Sequence, residues 1–394
     1  MKPFEMKPGI HYCGALHPDL DIFDDLLPTE RGTTYNAFLV RGKDKVALID
    51  TVKYLFTDEF MENLRSLVDP AEIDYIVCQH TEPDHAGSIG AALEAAKNAT
   101  VVSSVPAAKF LGGLLNRPFE SQTVKDGDTL DLGGRTLTFF TAPRVHWPCT
   151  IFTYLAEDKI LFPNDAFGAH YCDERLYNDE IDDYGEFFDV YFDAIMRPFK
   201  PKVRDAIAKI RDLDIEMICP SHGPLLRKDP WSYVEKYEAW CRVPETDGKR
   251  VLMVYMSSHE NTRRIAEEIA DGIRSAGGTP VLLRIKETDH GAIRDEMEMA
   301  DGLIFGTPTI NADVPPPMWG VLGLLSTVAL KAKRGAAFGS YGWTGEAVEM
   351  MQQRLQSMRI KTVEPGIRIN FTPTDADLAA CREFGVGFVQ ELGG

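Results

Sequence analysis

At 394 residues the chain is longer than one hydrophobic core usually holds, so two domains are expected. Hydrophobic content of 44% and charged content of 26% fit an ordinary globular protein. A formal net charge of −18 argues against nucleic acid and anionic membrane as partners, because both would repel it.

In chain order, Met1 to Gly9 is short and polar and has no apolar stretch of the kind that opens a signal peptide. No run approaches the roughly 18 apolar residues of a membrane span, so a cytoplasmic location is expected. Tyr35–Val40 and Val46–Asp50 read as a hairpin-like strand pair, Phe60–Leu67 as an amphipathic helix and Ile73–Val77 as a buried strand. Gly87–Ala96 reads as helix and Val101–Ser104 as strand. Leu130–Leu132 and Thr136–Thr141 flank a Gly133-Gly134 turn. Strands at Ile151–Tyr154 and Lys159–Phe162 precede helices near Tyr184–Ile195 and Lys202–Leu213, and Met217–Cys219 is one more strand. The mixture predicts a sheet-based fold with helices outside.

The pattern resets in the polar stretch from Arg242 to Lys249, which places a domain boundary near residue 247. Strands at Val251–Met256, Pro280–Ile285, Gly302–Phe305, Ala336–Ser340 and Gly366–Asn370 then alternate with helices at Thr262–Ala276, around Ile293, at Gly320–Val328, Glu346–Met358 and Asp375–Leu392. That alternation predicts a five-stranded, doubly wound parallel sheet over residues 248–394.

The chemistry begins at Val77-Cys78-Gln79-His80-Thr81-Glu82-Pro83-Asp84-His85. Two imidazoles and two carboxylates follow a buried strand, where a rigid scaffold can hold metal ligands. If the stretch stays extended, His80, Glu82 and Asp84 point to one side. Pro83 favours an extended Glu82. Three isolated ligand types recur after later strands: His146 in Pro143–Pro148, Asp165 after Phe162-Pro163-Asn164, and His222 in Cys219–Pro224. His170 is near enough to Asp165 to back the site, beside Tyr171, whereas His11, His17 and His290 have no such setting. The seven cysteines (Cys13, Cys78, Cys149, Cys172, Cys219, Cys241 and Cys381) form no Cys-x-x-Cys pair. Each is expected to be a small buried apolar residue.

A His-x-x-x-Asp-His core followed by a lone His, Asp and His at strand ends resembles the metallo-β-lactamase fold. Hydrolases of that fold usually carry His-x-His-x-Asp-His, whereas His80-x-Glu82-x-Asp84-His85 has glutamate at the second histidine. With the second domain added, the whole chain resembles the flavodiiron proteins, or A-type flavoproteins. The fold this implies is an N-terminal αββα sandwich over residues 1–247 followed by a flavodoxin-like domain. The resemblance assigns His80, Glu82 and His146 to one iron, Asp84, His85 and His222 to a second, and Asp165 as the bridge. A third carboxylate favours a harder, redox-active ion and its ferric state.

For the second domain the loop Ser257-Ser258-His259-Glu260-Asn261-Thr262 leads into a helix, and hydroxyls and amides at a helix N-terminus suit a phosphate. It resembles the flavodoxin phosphate loop but lacks glycine, and Glu260 is expected to turn its carboxylate to solvent. Pro308, Thr309, Ile310 and Asn311 follow the third strand, and Ser340, Tyr341, Gly342, Trp343 and Gly345 follow the fourth. The resemblance places an isoalloxazine ring between these loops. No Gly-x-Gly-x-x-Gly follows the first strand, which favours FMN over a dinucleotide.

These expectations imply an oxidoreductase, an oxygen and/or nitric oxide reductase whose FMN and iron together store four electrons. They also imply a head-to-tail homodimer, or a dimer of such dimers, and an external donor such as rubredoxin or a reduced deazaflavin. The rival readings are a hydrolase with an ancillary flavodoxin domain and an FMN electron carrier or sensor. Neither explains Glu82 together with a full set of ligands.

Overall fold

The computed structural model describes residues 1–242, 249–330 and 333–392. The chain divides into two compact units, Met1–Arg242 and Val243–Gly394. The boundary expected near residue 247 lies outside the described residues.

The first unit stacks two sheets. One runs Phe4–Lys7, Ile10–Tyr12, Phe38–Arg41, Val46–Ile49, Tyr75–Cys78, Thr100–Ser103, Ser121–Thr123 in spatial order. Its first four strands pair antiparallel and the rest parallel. The other runs Thr129–Asp131, Thr136–Thr141, Ile151–Leu155, Ile160–Phe162, Met217–Ile218. Strand alternation decides which residues meet. Ala47, Ile49 and Val77 point inward against Phe139, Ile151 and Phe162 of the second sheet. Their neighbours Leu48 and Ile76 point outward, under Phe60, Leu64 and Leu111 of the covering helices Thr57–Leu67 and Val105–Leu115. Phe188, Ile207 and Tyr237, from helices on the opposite side, cover Phe152 and Leu161. The result is the αββα sandwich that the family resemblance implies, and it meets the strand pattern's expectation of a sheet-based fold with helices outside.

Three local expectations are corrected. A helix at Val105–Leu115 was not anticipated, although Ser104 caps it by accepting from the Ala107 amide. The helix expected through Ile195 stops at Tyr191 and continues as a wider π turn over Phe192–Met196. Most consequentially, the 80–84 stretch does not stay extended. Glu82 is extended (φ −60°, ψ 139°), as a residue before proline should be, but Pro83–Ala86 is a helical turn. A proline at the first helical position is pre-set for that turn, because its ring fixes φ and its missing N–H would have no partner there. Asp84 and His85 therefore leave the line of His80 and Glu82.

In the second unit the spatial order is Thr279–Arg284, Arg250–Tyr255, Gly302–Gly306, Arg334–Tyr341, all parallel. The fifth position is shared by Lys361–Thr362 and Ile367–Asn370, which both pair with Arg334–Tyr341. Helices Asn261–Ser275 and Asp375–Glu391 pack on one face through Ile265, Ile269 and Phe388. They approach closely because a Cβ at Gly385 would lie 2.1 Å from the Ile269 carbonyl oxygen. The order in which strands are added reverses between the first and third strands, so the loops after Tyr255 and Gly306 open a crevice where such sheets bind ligands.

Candidate metal centre and flavin cradle

Four chain segments deliver the candidate ligands to one end of the sandwich: the Tyr75–Cys78 strand with the turn after it, and the loops after Thr141, Phe162 and Ile218. His80, Glu82, His146 and Asp165 bring ligand atoms within 4.8 Å of one another, and so do Asp84, His85 and His222. Glu82 Oε2 is 3.0 Å from His80 Nε2 and 3.1 Å from His146 Nε2. Asp84 Oδ2 is 3.1 Å from His222 Nε2, and Asp84 Oδ1 is 3.3 Å from His85 Nε2.

Asp165 ties the two groups together. Its Oδ2 lies 3.3 and 3.4 Å from His80 and His146, and its Oδ1 lies 2.9 and 3.6 Å from His85 and His222. One carboxylate thus faces both clusters, an oxygen to each.

Apart from the His80–Glu82 hydrogen bond, the contacts made by Asp84, Asp165 and His85 are close without being good hydrogen bonds. Both oxygens of Asp84 and Asp165 and both nitrogens of His85 are buried, and none has an aligned hydrogen-bond partner among the described residues. Buried polar atoms left this way are rare. Lone pairs that converge on common points rather than on each other's protons fit two cations, and the imidazole and carboxylate donors suit first-row transition metals.

The electrostatics agree. Burial by itself would lower the imidazoles. Asp84 and Asp165 outweigh it at His85, and Asp165 and Glu82 outweigh it at His146, raising both to about 9. Burial would raise Asp165, yet His85, His146 and His80 hold it well below the usual carboxylate range. The carboxylates therefore demand positive charge in their midst.

Outer residues lock the ligands in place. His222 Nδ1 donates to the Thr34 carbonyl at 2.7 Å. Asn36 Nδ2 donates to the carbonyls of Pro220 and Gly223, which flank His222, at 2.8 and 2.9 Å. The buried Asp50 carboxylate accepts from the Gln79 amide (2.8 Å), Gln79 Nε2 (3.0 Å) and Asn164 Nδ2 (3.1 Å), so it clamps the residues preceding His80 and Asp165. Sequence reading missed Asp50, Asn36 and Asn164. The available signal was position: Asp50 follows a strand end as the ligands do, and Asn164 precedes one.

His170 is buried and backs the site, a role that its place in the sequence left open. Thr33 Oγ1 lies 2.9 Å from His170 Nδ1 and 3.3 Å from His222 Nδ1. Tyr171 instead sits under the Arg31 guanidinium, 4.7 Å from its ring centre. None of the seven cysteines forms a disulfide among the described residues. Two depart from expectation: Cys172 is only partly buried, and Cys149 is buried against His80 rather than in an apolar setting.

In the second unit a cavity of about 260 Å³ lies at the crevice, lined by Ser258, His259, Asn261, Pro308, Thr309, Ile310, Ser340, Tyr341, Gly342, Trp343 and Phe371. Phe371, after the last strand, was not anticipated. Ser257, Glu260, Thr262, Asn311 and Gly345 do not line it. Thr262 supports it instead, its Oγ1 2.9 Å from Ser340 Oγ. The Glu260 carboxylate is half-exposed, as expected, and it also pairs with Arg263 at 2.5 Å and Arg284 at 2.8 Å. Its φ of +62° stands where glycine is usual.

The comparisons match both halves. A family profile described as ODP family beta lactamase matches residues 33–223, and one described as flavodoxin matches 253–385. "Type A flavoprotein fprA" of Rhodobacter capsulatus is 40% identical over 100% of this chain and 92% of its own length. The chain belongs to the flavodiiron protein family. A relative named "Nitric oxide reductase", from Moorella thermoacetica, is 36% identical over 98% of this chain and 97% of its own length. Among solved structures, the rubredoxin oxygen:oxidoreductase of Desulfovibrio gigas superposes with a TM-score of 0.67 at 30% identity, covering 100% of this chain and 99% of that one. No helix among the described residues is long and apolar enough to cross a membrane.

Proposed function

We propose that the chain reduces dioxygen to water, nitric oxide to nitrous oxide, or both. Residues 1–247 form the metal domain and 248–394 the FMN domain. His80, Glu82 and His146 hold one iron, Asp84, His85 and His222 hold a second, and Asp165 bridges them. Ser258, His259, Asn261, Pro308, Thr309, Ile310, Ser340, Tyr341, Gly342, Trp343 and Phe371 line the FMN cavity, and Ser257, Glu260, Thr262, Asn311 and Gly345 belong to the loops that frame it.

The observation that carries the reading is Asp165, with one carboxylate oxygen toward each cluster. When bound, the iron pair supplies coordination sites for a diatomic gas, and FMN supplies electrons. The chain's own residues set the conditions. Glu82 brings a third negative charge that favours the ferric state and distinguishes the site from a hydrolytic one. The Thr34 carbonyl and the Asp50 clamp keep imidazole and carboxylate lone pairs on their targets. At the flavin cavity, Trp343 is 78% exposed and Phe371 63% exposed. These rings are offered first to FMN, and a head-to-tail homodimer, in which the flavin edge of one protomer meets the metal domain of its partner, is the assembly that goes with this reading. Electrons arrive from a separate donor such as rubredoxin or a reduced deazaflavin.

The test supplies the iron- and FMN-loaded protein with an artificial reductant and follows each gas in a sealed cell. Iron-dependent loss of dioxygen without accumulation of peroxide, or of nitric oxide with formation of nitrous oxide, is expected. Ester or lactam hydrolysis with no gas consumption would contradict the proposal. Sedimentation giving a monomer with full turnover would remove the dimer from it.

A further inference from the structure

The His80 imidazole is fully buried, and its contacts leave it little freedom. Its Nε2 faces Glu82 Oε2 and Asp165 Oδ2, and Trp147 stands nearly perpendicular to it at 5.1 Å between ring centres. On the other side of the ring, Nδ1 lies 3.2 Å from the thiol sulfur of Cys149. That sulfur is also 3.2 Å from Thr81 Oγ1, and the Cys149 carbonyl accepts from Ser104 Oγ at 2.6 Å. The thiol is therefore held by its backbone as well as by its neighbours.

The second cluster differs at the equivalent place. There the outer nitrogen of His222 donates to a backbone carbonyl oxygen, Thr34, at 2.7 Å. A ligand imidazole almost always gives its outer N–H to an oxygen acceptor, which fixes the tautomer and raises the basicity of the ligating nitrogen. Of these two imidazoles, His222 is served by oxygen and His80 by sulfur, a weaker acceptor, while His85 Nδ1 has no hydrogen-bond partner among the described residues.

We propose that Cys149 is a positioning residue for the first metal subsite. Its sulfur accepts the Nδ1–H of His80 and passes its own S–H to Thr81 Oγ1. The proton is thereby kept on Nδ1, and the Nε2 lone pair faces the point shared by Glu82, His146 and Asp165. Because sulfur pulls weakly on that proton, His80 is a less basic donor than His222, and the two subsites are electronically unequal despite similar ligand sets. The proposal rests on reading the clusters as two metal subsites.

The test uses full-length iron- and FMN-loaded protein in wild-type, Cys149→Ala, Cys149→Ser and Cys149→Asp forms. It measures iron per chain against a graded chelator and, by Mössbauer spectroscopy, which iron is affected. Cys149→Ala is expected to weaken one iron by about 10- to 100-fold while the other holds. Cys149→Ser should restore it, since Oγ can accept the same proton. Cys149→Asp should hold that iron more tightly than wild type and lower its midpoint potential, because a carboxylate pulls harder on Nδ1–H. Retained FMN and an unchanged near-ultraviolet dichroism spectrum certify folding. If the alanine form does not fold, the serine and aspartate forms decide by the same criteria.

Equal loss of both irons, wild-type retention in Cys149→Ala, or a serine form as weak as alanine would overturn the proposal. So would an aspartate form no tighter than wild type. Wild-type protein that fails to hold two irons would instead overturn the reading beneath it.

Discussion

Asp50→Asn isolates the clamp behind the metal centre. The backbone does not oppose it, because Asp50 has φ +55° and asparagine is among the residues best tolerated in that region. The new amide oxygen can keep the bond from the Gln79 main-chain N–H. Its amino group, however, faces two buried donors, Gln79 Nε2 and Asn164 Nδ2, which now have 3.0 and 3.1 Å bonds to a carboxylate. Hydrogen bonds to a charged group contribute about 1.5–3 kcal/mol each, so two are worth about 3–6 kcal/mol. Part of this is returned, since burial already raises the Asp50 carboxyl and the variant no longer desolvates a charge. Asn164 Nδ2 also keeps its 2.9 Å bond to Ser221 Oγ. A net loss of about 2–4 kcal/mol follows, which lowers the Tm of a unit this size by about 4–16 °C. Thermal and urea unfolding of the metal domain, followed by tryptophan fluorescence with flavin release as the report on the other unit, measures it. A variant within about 0.5 kcal/mol of wild type would refute the assignment, because that is the range of an ordinary surface change.

Three further outcomes are expected. Glu82→His removes one of the three carboxylates that distinguish this site, and should shift metal preference from iron toward zinc and abolish gas reduction; unchanged iron content and turnover would contradict the role given to Glu82. Gly339→Ala should release FMN, because the added Cβ would lie 2.3 Å from the Thr307 carbonyl oxygen and push apart the strand ends that carry two flavin loops; flavin titration giving wild-type affinity would contradict it. Trp343→Ala should weaken both FMN affinity and self-association, since the ring lines the cavity and stands largely in solvent; sedimentation and fluorescence titration that both match wild type would remove Trp343 from either role.

The candidate ligands could be read from the sequence because four of them cluster just past one apolar strand and the other three stand alone just past later ones. Asp50 carries the same signature, after Val46–Ile49, yet looks like the polar end of a hairpin strand. Only the fold shows that three donors from distant segments meet on it. Cys149 failed for a related reason, since burial was predicted correctly but its neighbour, His80, comes from 69 residues away. The extended reading of His80 to Asp84 erred at Pro83, a residue that both favours an extended predecessor and starts a helical turn. That turn gives Asp84 and His85 to the other cluster. Phe371 follows the fifth strand position, while the flavin loops seen in the sequence follow the first, third and fourth, so only spatial adjacency reveals it.

Stopped-flow oxidation of anaerobically reduced, iron- and FMN-loaded protein tests the central claim most directly. Mixed with dioxygen or nitric oxide, the reduced flavin should regain its oxidised visible absorbance within the turnover time. One dioxygen should be consumed per four electrons, and protein depleted of iron should lose the fast phase. A flavin that reoxidises equally fast without iron, or leaves hydrogen peroxide as the product, would contradict the account.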